Sequence, residues 1–109
     1  FKNLLYSCDI GLSSVVISSK LLKQNSFSNI KTKEDYVLWL KLSKQKIKML
    51  GINKSLTKWR KTRDSLSSST IQKLKDAYTV YNKYLRFNVF KSLILTFILS
   101  LNFIKKRYL

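Results

Sequence analysis

The scarcity of turn-forming residues is the strongest constraint on the fold of this chain. Its 109 residues include no proline and only two glycines. A complete α/β enzyme normally needs more of these residues, because its tight connections require the backbone conformations that they adopt. The chain is long enough to bury one modest hydrophobic core. We therefore expect a piece of a longer domain.

The charge of the chain predicts the kind of partner. It carries 22 Lys and Arg against five Asp and Glu, a formal net charge of +17. Such an excess predicts an anionic partner, and nucleic acid, a phosphorylated substrate and an anionic membrane surface all remain open. With no histidine and one cysteine, Cys8, a zinc site has almost no ligands, and a histidine-assisted nucleophile is excluded.

The stretch KTKEDYVLWLKL, residues 31–42, joins an adjacent acidic pair to an apolar run. Thr32 followed by Asp35 fits a capping box, and carboxylates in a first turn suit the positive end of the helix macrodipole. Lysines at positions 41, 44 and 48 follow at helical spacing. We predict a helix over residues 33–46 with Glu34 and Asp35 in its first turn.

Four other segments have clear local patterns. The β-branched run at 12–18 predicts a strand, and a second short strand is expected at 55–59. One or two helical turns are expected at 19–25, and a helix over 70–85, capped by Asp64 or by a serine of SLSSST. The predicted buried face of that helix consists of Ile71, Leu74, Ala77, Tyr78, Tyr81 and Leu85.

The last segment, residues 87–109, is the most apolar part of the sequence. Its apolar run at 92–104 is about half of the roughly 20 residues that a transmembrane helix needs. We expect a helix that lies in a membrane interface or packs on another domain, in preference to a full span. The basic residues that follow the run suit an anionic lipid surface: Lys105, Lys106 and Arg107.

Three pieces of the sequence occur in an order that resembles a known family. SSVVI stands at 13–17, EDYVLWL at 34–40, and WR at 59–60 is followed by SLS at 65–67. This order is similar to the C-terminal half of the catalytic domain of family 2 glycosyltransferases, the inverting GT-A enzymes that build bacterial surface polysaccharides. The resemblance covers roughly residues 8–70, but the Asp-x-Asp carboxylates of that family do not occur in this chain.

The resemblance implies an α/β fold class, as a fragment of a GT-A, Rossmann-like three-layer domain. By itself the chain is expected to be mainly helical with one or two short strands. Residues 1–70 would form the acceptor side of the domain, and residues 71–109 the C-terminal helices, the last apolar and membrane-associated. This piece alone is expected to be inactive, because the half of the domain that holds the donor is missing.

The resemblance also implies roles for individual residues. Asp35 is expected to be the general base that takes the proton of the acceptor hydroxyl, and Glu34 to orient Asp35 or contact the acceptor. A cationic loop with Arg60, Lys61 and Arg63 is expected to close on the diphosphate of the donor. The other residues of the predicted substrate-binding set are Tyr36, Trp39, Ser65 and Ser67.

The resemblance implies a nucleotide-sugar donor and a glycan or lipid-linked acceptor as partners. The apolar segment and its basic flank add an anionic membrane surface, bound through residues 87–109. A divalent cation, magnesium or manganese, would be held by ligands outside this chain. The expected location is the cytoplasm, at the inner face of the plasma membrane.

Each assignment has a simpler structural alternative. Glu34 and Asp35 can serve only as residues of a solvated first turn, Trp39 as a core aromatic and Arg60 as a solvated charge. The serines at 65 and 67 can serve as a helix cap. Two other functions also remain open: a small basic nucleic-acid-binding helical protein and a membrane-surface anchor. Nucleic acid is less favoured, because no RNA- or DNA-binding motif occurs.

Overall fold

The computed structural model describes residues 1–58, 60, 62 and 69–108. Five α-helices occur in this part of the chain. They are α1 (Lys2–Tyr6), α2 (Ser19–Gln24), α3 (Glu34–Lys44), α4 (Thr70–Thr79) and α5 (Val89–Tyr108). A 3-10 turn, Leu12–Ser14, lies between α1 and α2, and a π-helical turn, Val80–Tyr84, continues α4.

The two helices predicted over 33–46 and 70–85 are confirmed, as α3 and as α4 with its π-turn. The helical turns expected at 19–25 are α2. The predicted serine cap of α4 is Ser69, whose hydroxyl oxygen accepts a hydrogen bond from the Gln72 amide at 3.3 Å. Asp64, the other predicted cap, lies outside the described residues.

No strand occurs among the described residues, although strands were predicted at 12–18 and 55–59. Val15 has an extended backbone, but the segment 15–17 forms no strand with a neighbour in the described part of the chain. Val15 and Ile17 pack on the Trp39 side of α3, whereas Val16 is fully exposed. This alternation is the pattern of a strand, and a strand forms only where a second chain segment supplies backbone hydrogen bonds. Residues 55–58 have no regular structure, and Trp59 lies outside the description.

Helix α3 is the centre of the fold, because it is buried on two sides. Tyr36 and Leu40 face one hydrophobic cluster, and Leu38, Trp39 and Leu42 face another. The first cluster also contains Leu5, Ala77, Val80, Tyr81, Leu95 and Leu99. The second is covered by partly buried side chains from the N-terminal region, including Val15, Ile17, Leu21 and Leu22. Both faces therefore depend on contacts distant in sequence.

The buried face of α4 differs from the predicted one. Ala77 and Tyr81 are buried as predicted, but Ile71 is 68% exposed and Leu74 is 42% exposed. Asp76 is buried instead, at 6% exposure. The first turn of α4 therefore lies largely outside the core.

Helix α5 packs on α1, α4 and the π-turn through one face. That face contains Leu95 and Leu99 together with two buried hydroxyl residues, Ser92 and Thr96. The hydroxyl of Ser92 donates to the Asn88 carbonyl, and that of Thr96 to the Ser92 carbonyl, each at 2.8 Å. Among the residues that the structure describes, no helix has the length and apolarity needed to cross a membrane.

The predicted capping box is wrong. The N-cap of α3 is Lys33, and no side chain caps it. Thr32 instead binds the buried carboxylate of Asp76: its amide donates to Oδ2 at 2.8 Å and its hydroxyl donates to the same oxygen at 2.6 Å. Gln72 Nε2 donates to Oδ1 at 3.0 Å. A long-range acceptor therefore replaces the local one, and it anchors the segment before α3 to α4.

We expect Asp76→Ala to lower the free energy of unfolding by about 2 kcal/mol, because the buried amide and hydroxyl of Thr32 would lose a charged acceptor. Urea unfolding followed by circular dichroism measures the change. Asp9→Ala is the matched control, since this carboxylate is half-exposed in an ion pair with Lys106. Its removal should cost less than about 1 kcal/mol. Equal losses for the two variants would show that the Thr32 contact does not stabilise the fold.

Candidate functional site

The acidic pair stands at the first turn of α3, directly after a residue in an unusual conformation. Lys33 has φ 66° and lies in the left-handed region, which side chains other than Gly, Asn and Asp rarely occupy. Its ammonium lies 5.6 Å from the centre of the Tyr36 ring, within the range of a cation–π contact. This turn brings Glu34 and Asp35, both half-buried, to the positive end of the helix.

Asp35 has one oxygen bound and one oxygen without a partner among the described residues. Oδ1 accepts a hydrogen bond from the Tyr36 amide at 2.8 Å. No donor in the described part of the chain contacts Oδ2 or the carboxylate of Glu34. The bond at Oδ1 fixes the direction of the carboxylate, and the second oxygen can accept a proton.

The surroundings of Asp35 include the segment after α1. Desolvation of the thiol raises the pKa of Cys8, although the residue as a whole is exposed. The ammonium groups of Lys33 and Lys106 oppose that rise, and the Asp35 carboxylate adds to it. Lys106 forms an ion pair with Asp9. The C-terminal end of α5 therefore lies in the same neighbourhood as the first turn of α3.

Tyr36, a predicted substrate residue, is completely buried. Its hydroxyl donates to the Leu4 carbonyl, and the hydroxyl of Tyr81 donates to the Leu5 carbonyl at 2.6 Å. The two rings meet edge to face, with centroids 6.4 Å apart and planes at 88°. Burial raises the pKa of Tyr36 well above its ordinary range. In this structure Tyr36 has no free ring face for a sugar. Its burial fixes the backbone position next to Asp35.

Trp39 is also a core residue, at 2% exposure. It packs with Leu38 and Leu42 against the N-terminal region. Its indole nitrogen is buried and has no hydrogen-bond partner among the described residues. In this structure Trp39 therefore packs as a core aromatic.

The predicted cationic loop is described only in part. Arg60 is exposed, which suits either a solvated charge or a contact with a bound anion. Ser65 and Ser67, and the loop residues Lys61 and Arg63, lie outside the described residues.

A cavity of about 330 Å³ lies beside the C-terminal half of α3. Apolar side chains of Val37, Leu40 and Val80 line it, with Lys41 and Lys44 at the helix side. Neither Glu34 nor Asp35 belongs to its lining. The cavity is therefore separate from the candidate carboxylate site.

The described residues do not fit a bound divalent cation. No group of three or more Asp, Glu or Cys side chains comes together in the part of the chain that the structure describes. Asp35 and Glu34 are two carboxylates on one helical turn, and Asp76 is occupied by Thr32 and Gln72. We therefore assign no chemical step in this chain to a metal ion.

Two interactions that shape the site were not predicted. One is the Asp76–Thr32 contact, and the other is the edge-to-face pair of Tyr36 and Tyr81. Tyr81 was correctly expected on a buried face, but its partner is 45 residues away. Asp76 carried one usable signal, since it is one of only five acidic residues in a basic chain.

The chain is similar in sequence to known glycosyltransferases. The chain is 30% identical over 98 residues to a teichuronic acid biosynthesis glycosyltransferase, TuaG, of Bacillus subtilis. The match covers 90% of this chain and 39% of that protein. The chain is related in sequence to glycosyltransferases.

A second relative supports the same relationship. The chain is 33% identical over 85 residues to the UDP-Glc:alpha-D-GlcNAc-diphosphoundecaprenol beta-1,3-glucosyltransferase WfgD of Escherichia coli. This match covers 77% of this chain and 33% of that protein. The chain thus spans 39% of the length of the first curated relative and 33% of the length of the second. No protein-family model and no solved structure matches it.

The buried tyrosine pair predicts a pH dependence of stability. Burial raises the pKa of Tyr81 to about 12, from an ordinary value of 10.0. As the pH rises, the Tyr81 hydroxyl therefore ionises in the unfolded chain before it does so in the folded one. Its contribution to the free energy of unfolding is fully present below pH 10 and is lost as the pH rises to about 12. We expect the free energy of unfolding to fall across this window, and to fall less in Tyr81→Phe.

Urea unfolding at neutral pH and at steps between pH 10 and about 12 measures this dependence. Tyr108→Phe is the matched control, because Tyr108 is 72% exposed. It should follow the wild-type pH profile, including the part due to lysine titration. Parallel profiles for Tyr81→Phe and the wild type would contradict the prediction.

Proposed function

We propose that this chain is the acceptor-side part of an inverting glycosyltransferase domain of the GT-A fold, in which Asp35 is the general base. The sequence relationship to two glycosyltransferases supports the reaction class. The observation that supports Asp35 is its carboxylate, which has Oδ1 fixed by the helix and no donor at Oδ2 among the described residues.

The proposed reaction is a single displacement at the anomeric carbon of a nucleotide sugar. The acceptor hydroxyl oxygen forms the new bond to that carbon, and its proton passes to Oδ2 of Asp35. The bond between the carbon and the diphosphate oxygen breaks, and the nucleoside diphosphate leaves with the electron pair. Because a carboxylate accepts the proton as the attack proceeds, the hydroxyl does not have to ionise beforehand.

The fold supplies the rigidity that a general base needs. The segment before α3 is held to α4 by Asp76, and the residue after Asp35 is the fully buried Tyr36. Asp35 therefore lies between two fixed positions, with its backbone in a helical turn. Such support holds a catalytic side chain within the narrow tolerance that proton transfer requires. Glu34, on the same turn, would contact the acceptor or orient Asp35.

The substrates in this proposal are a nucleotide-sugar donor and a glycan or lipid-linked acceptor. One relative is named for UDP-Glc as donor and a diphosphoundecaprenol-linked sugar as acceptor. The exposed Arg60 would contact the diphosphate of the donor, whose negative charge increases as the bond breaks. Ser65 and Ser67 would belong to the same substrate-binding loop. A magnesium or manganese ion enters the proposal through the family resemblance alone.

The test is Asp35→Asn in the complete protein that the natural gene encodes. Loss of a general base should lower the turnover number by about 10²- to 10⁴-fold, because asparagine is nearly the same size but cannot take the proton. Sugar transfer to the acceptor is measured by release of nucleoside diphosphate. Glu34→Gln should have a smaller effect, since Glu34 is not the base.

The matched control is Asp9→Asn, which removes one carboxylate from the same neighbourhood. Its turnover should stay close to that of the wild type, since Asp9 is engaged by Lys106. Circular dichroism and urea unfolding check that all three variants fold. Retained turnover in folded Asp35→Asn excludes Asp35 as the base, and equal losses in Asp9→Asn indicate a general charge effect.

A further inference from the structure

Helix α5 presents an apolar stripe that nothing in the described part of the chain covers. The stripe follows positions separated alternately by four and three residues, which lie on one side of an α-helix. Its members are Phe90, Ile94, Phe97, Leu101, Ile104 and Tyr108. Three of them are largely exposed: Phe90 at 76%, Phe97 at 63% and Tyr108 at 72%. We call this surface the α5 outer stripe.

Helix α5 is apolar on its outer side as well as on its packed side, unlike a solvated surface helix. Its packed side includes the buried hydroxyl residues Ser92 and Thr96, which donate to the helix's own carbonyls. Its outer side is aromatic and aliphatic. A helix on a soluble surface normally buries its apolar side and exposes its polar side. The outer side of α5 therefore has the composition of a surface that contacts an apolar environment.

The charges around the stripe indicate what kind of environment this is. Lys91 lies one residue after the first stripe position, and Lys105 and Arg107 lie beside the last two. All three are exposed. No acidic residue occurs in α5, and the whole chain carries a net charge of +17. A second copy of this chain would bring like charges together, whereas an anionic lipid surface would attract both ends of the helix.

We propose that the α5 outer stripe binds the interface of an anionic lipid bilayer. The aromatic and aliphatic side chains enter the boundary between headgroups and acyl chains, and the flanking lysines and Arg107 contact lipid phosphates. This is the usual arrangement of an amphipathic helix that lies in the membrane plane. The proposal concerns attachment and goes beyond sugar transfer, so it stands or falls separately from the role of Asp35.

The test is co-sedimentation of the full chain with vesicles of phosphatidylglycerol and phosphatidylethanolamine, beside vesicles of phosphatidylcholine alone. The wild type should pellet with the anionic vesicles and much less with phosphatidylcholine. The double variant Phe90→Asp, Phe97→Asp should bind the anionic vesicles at least about tenfold more weakly, because two aromatic anchors are replaced by carboxylates. Both positions are exposed, so the fold should survive, as circular dichroism can verify.

The matched control is the double variant Val16→Asp, Ile52→Asp. It makes the same change in net charge at two exposed apolar residues outside α5, at 101% and 72% exposure. It should bind within about twofold of the wild type. Lys105→Gln with Arg107→Gln should weaken binding and reduce its salt dependence.

Three results would overturn the proposal. One is equal weakening by the two aspartate pairs, which would reduce the effect to net charge. Another is equal binding of the wild type to phosphatidylcholine, which would remove the anionic requirement. The third is self-association that depends on Phe90 and Phe97, measured by sedimentation velocity, in a wild-type chain that does not bind the vesicles.

Discussion

The carboxylate of Asp76 is the interaction on which the arrangement of this chain depends. It accepts the amide and the hydroxyl of Thr32, two residues before α3 begins. A buried carboxylate without such donors would be strongly unfavourable, so the contact is required wherever Asp76 is buried. It fixes the start of α3 on α4, and the buried Tyr36 then ties the same turn to α1. The position of the acidic pair follows from these two attachments.

Local patterns predicted the parts of the fold that local physics determines. Helix α3 and helix α4 follow from apolar spacing, and the Ser69 cap follows from the preference of serine for this position. The role of Thr32 could not be predicted in the same way. Its sequence fits a capping box, but its partner is 44 residues away. Tertiary hydrogen bonds of this kind compete with local ones, and the sequence of one segment does not reveal the competitor.

In the candidate site, too, some features follow from local sequence and others depend on distant contacts. Asp35 was proposed from a family resemblance, and its place at the positive end of a helix agrees with the simpler capping-turn role as well. Tyr36 and Trp39 were assigned to the substrate-binding set through the same resemblance, and in the structure both side chains lie in the core. Aromatic residues at helical spacing are core residues in most helices, because they bury the largest apolar area.

The run at 12–18 has the alternation of a strand, and the sequence can predict that alternation. It has no strand partner in the described part of the chain, and the sequence of the run does not reveal whether a partner is present.

The π-turn at Val80–Tyr84 determines how the fold would respond to the deletion of a residue. The Leu85 amide bonds to the Val80 carbonyl, and the Phe87 amide takes the carbonyl of Tyr81. The turn thus holds one residue more than a regular helical turn. Deleting one residue there would restore a regular helical turn and rotate the residues between the deletion and the end of that turn by about 100° relative to α4. Leu85 and Phe87, which pack partly buried against the first hydrophobic cluster, would then point in other directions, so the turn cannot be shortened without repacking that cluster.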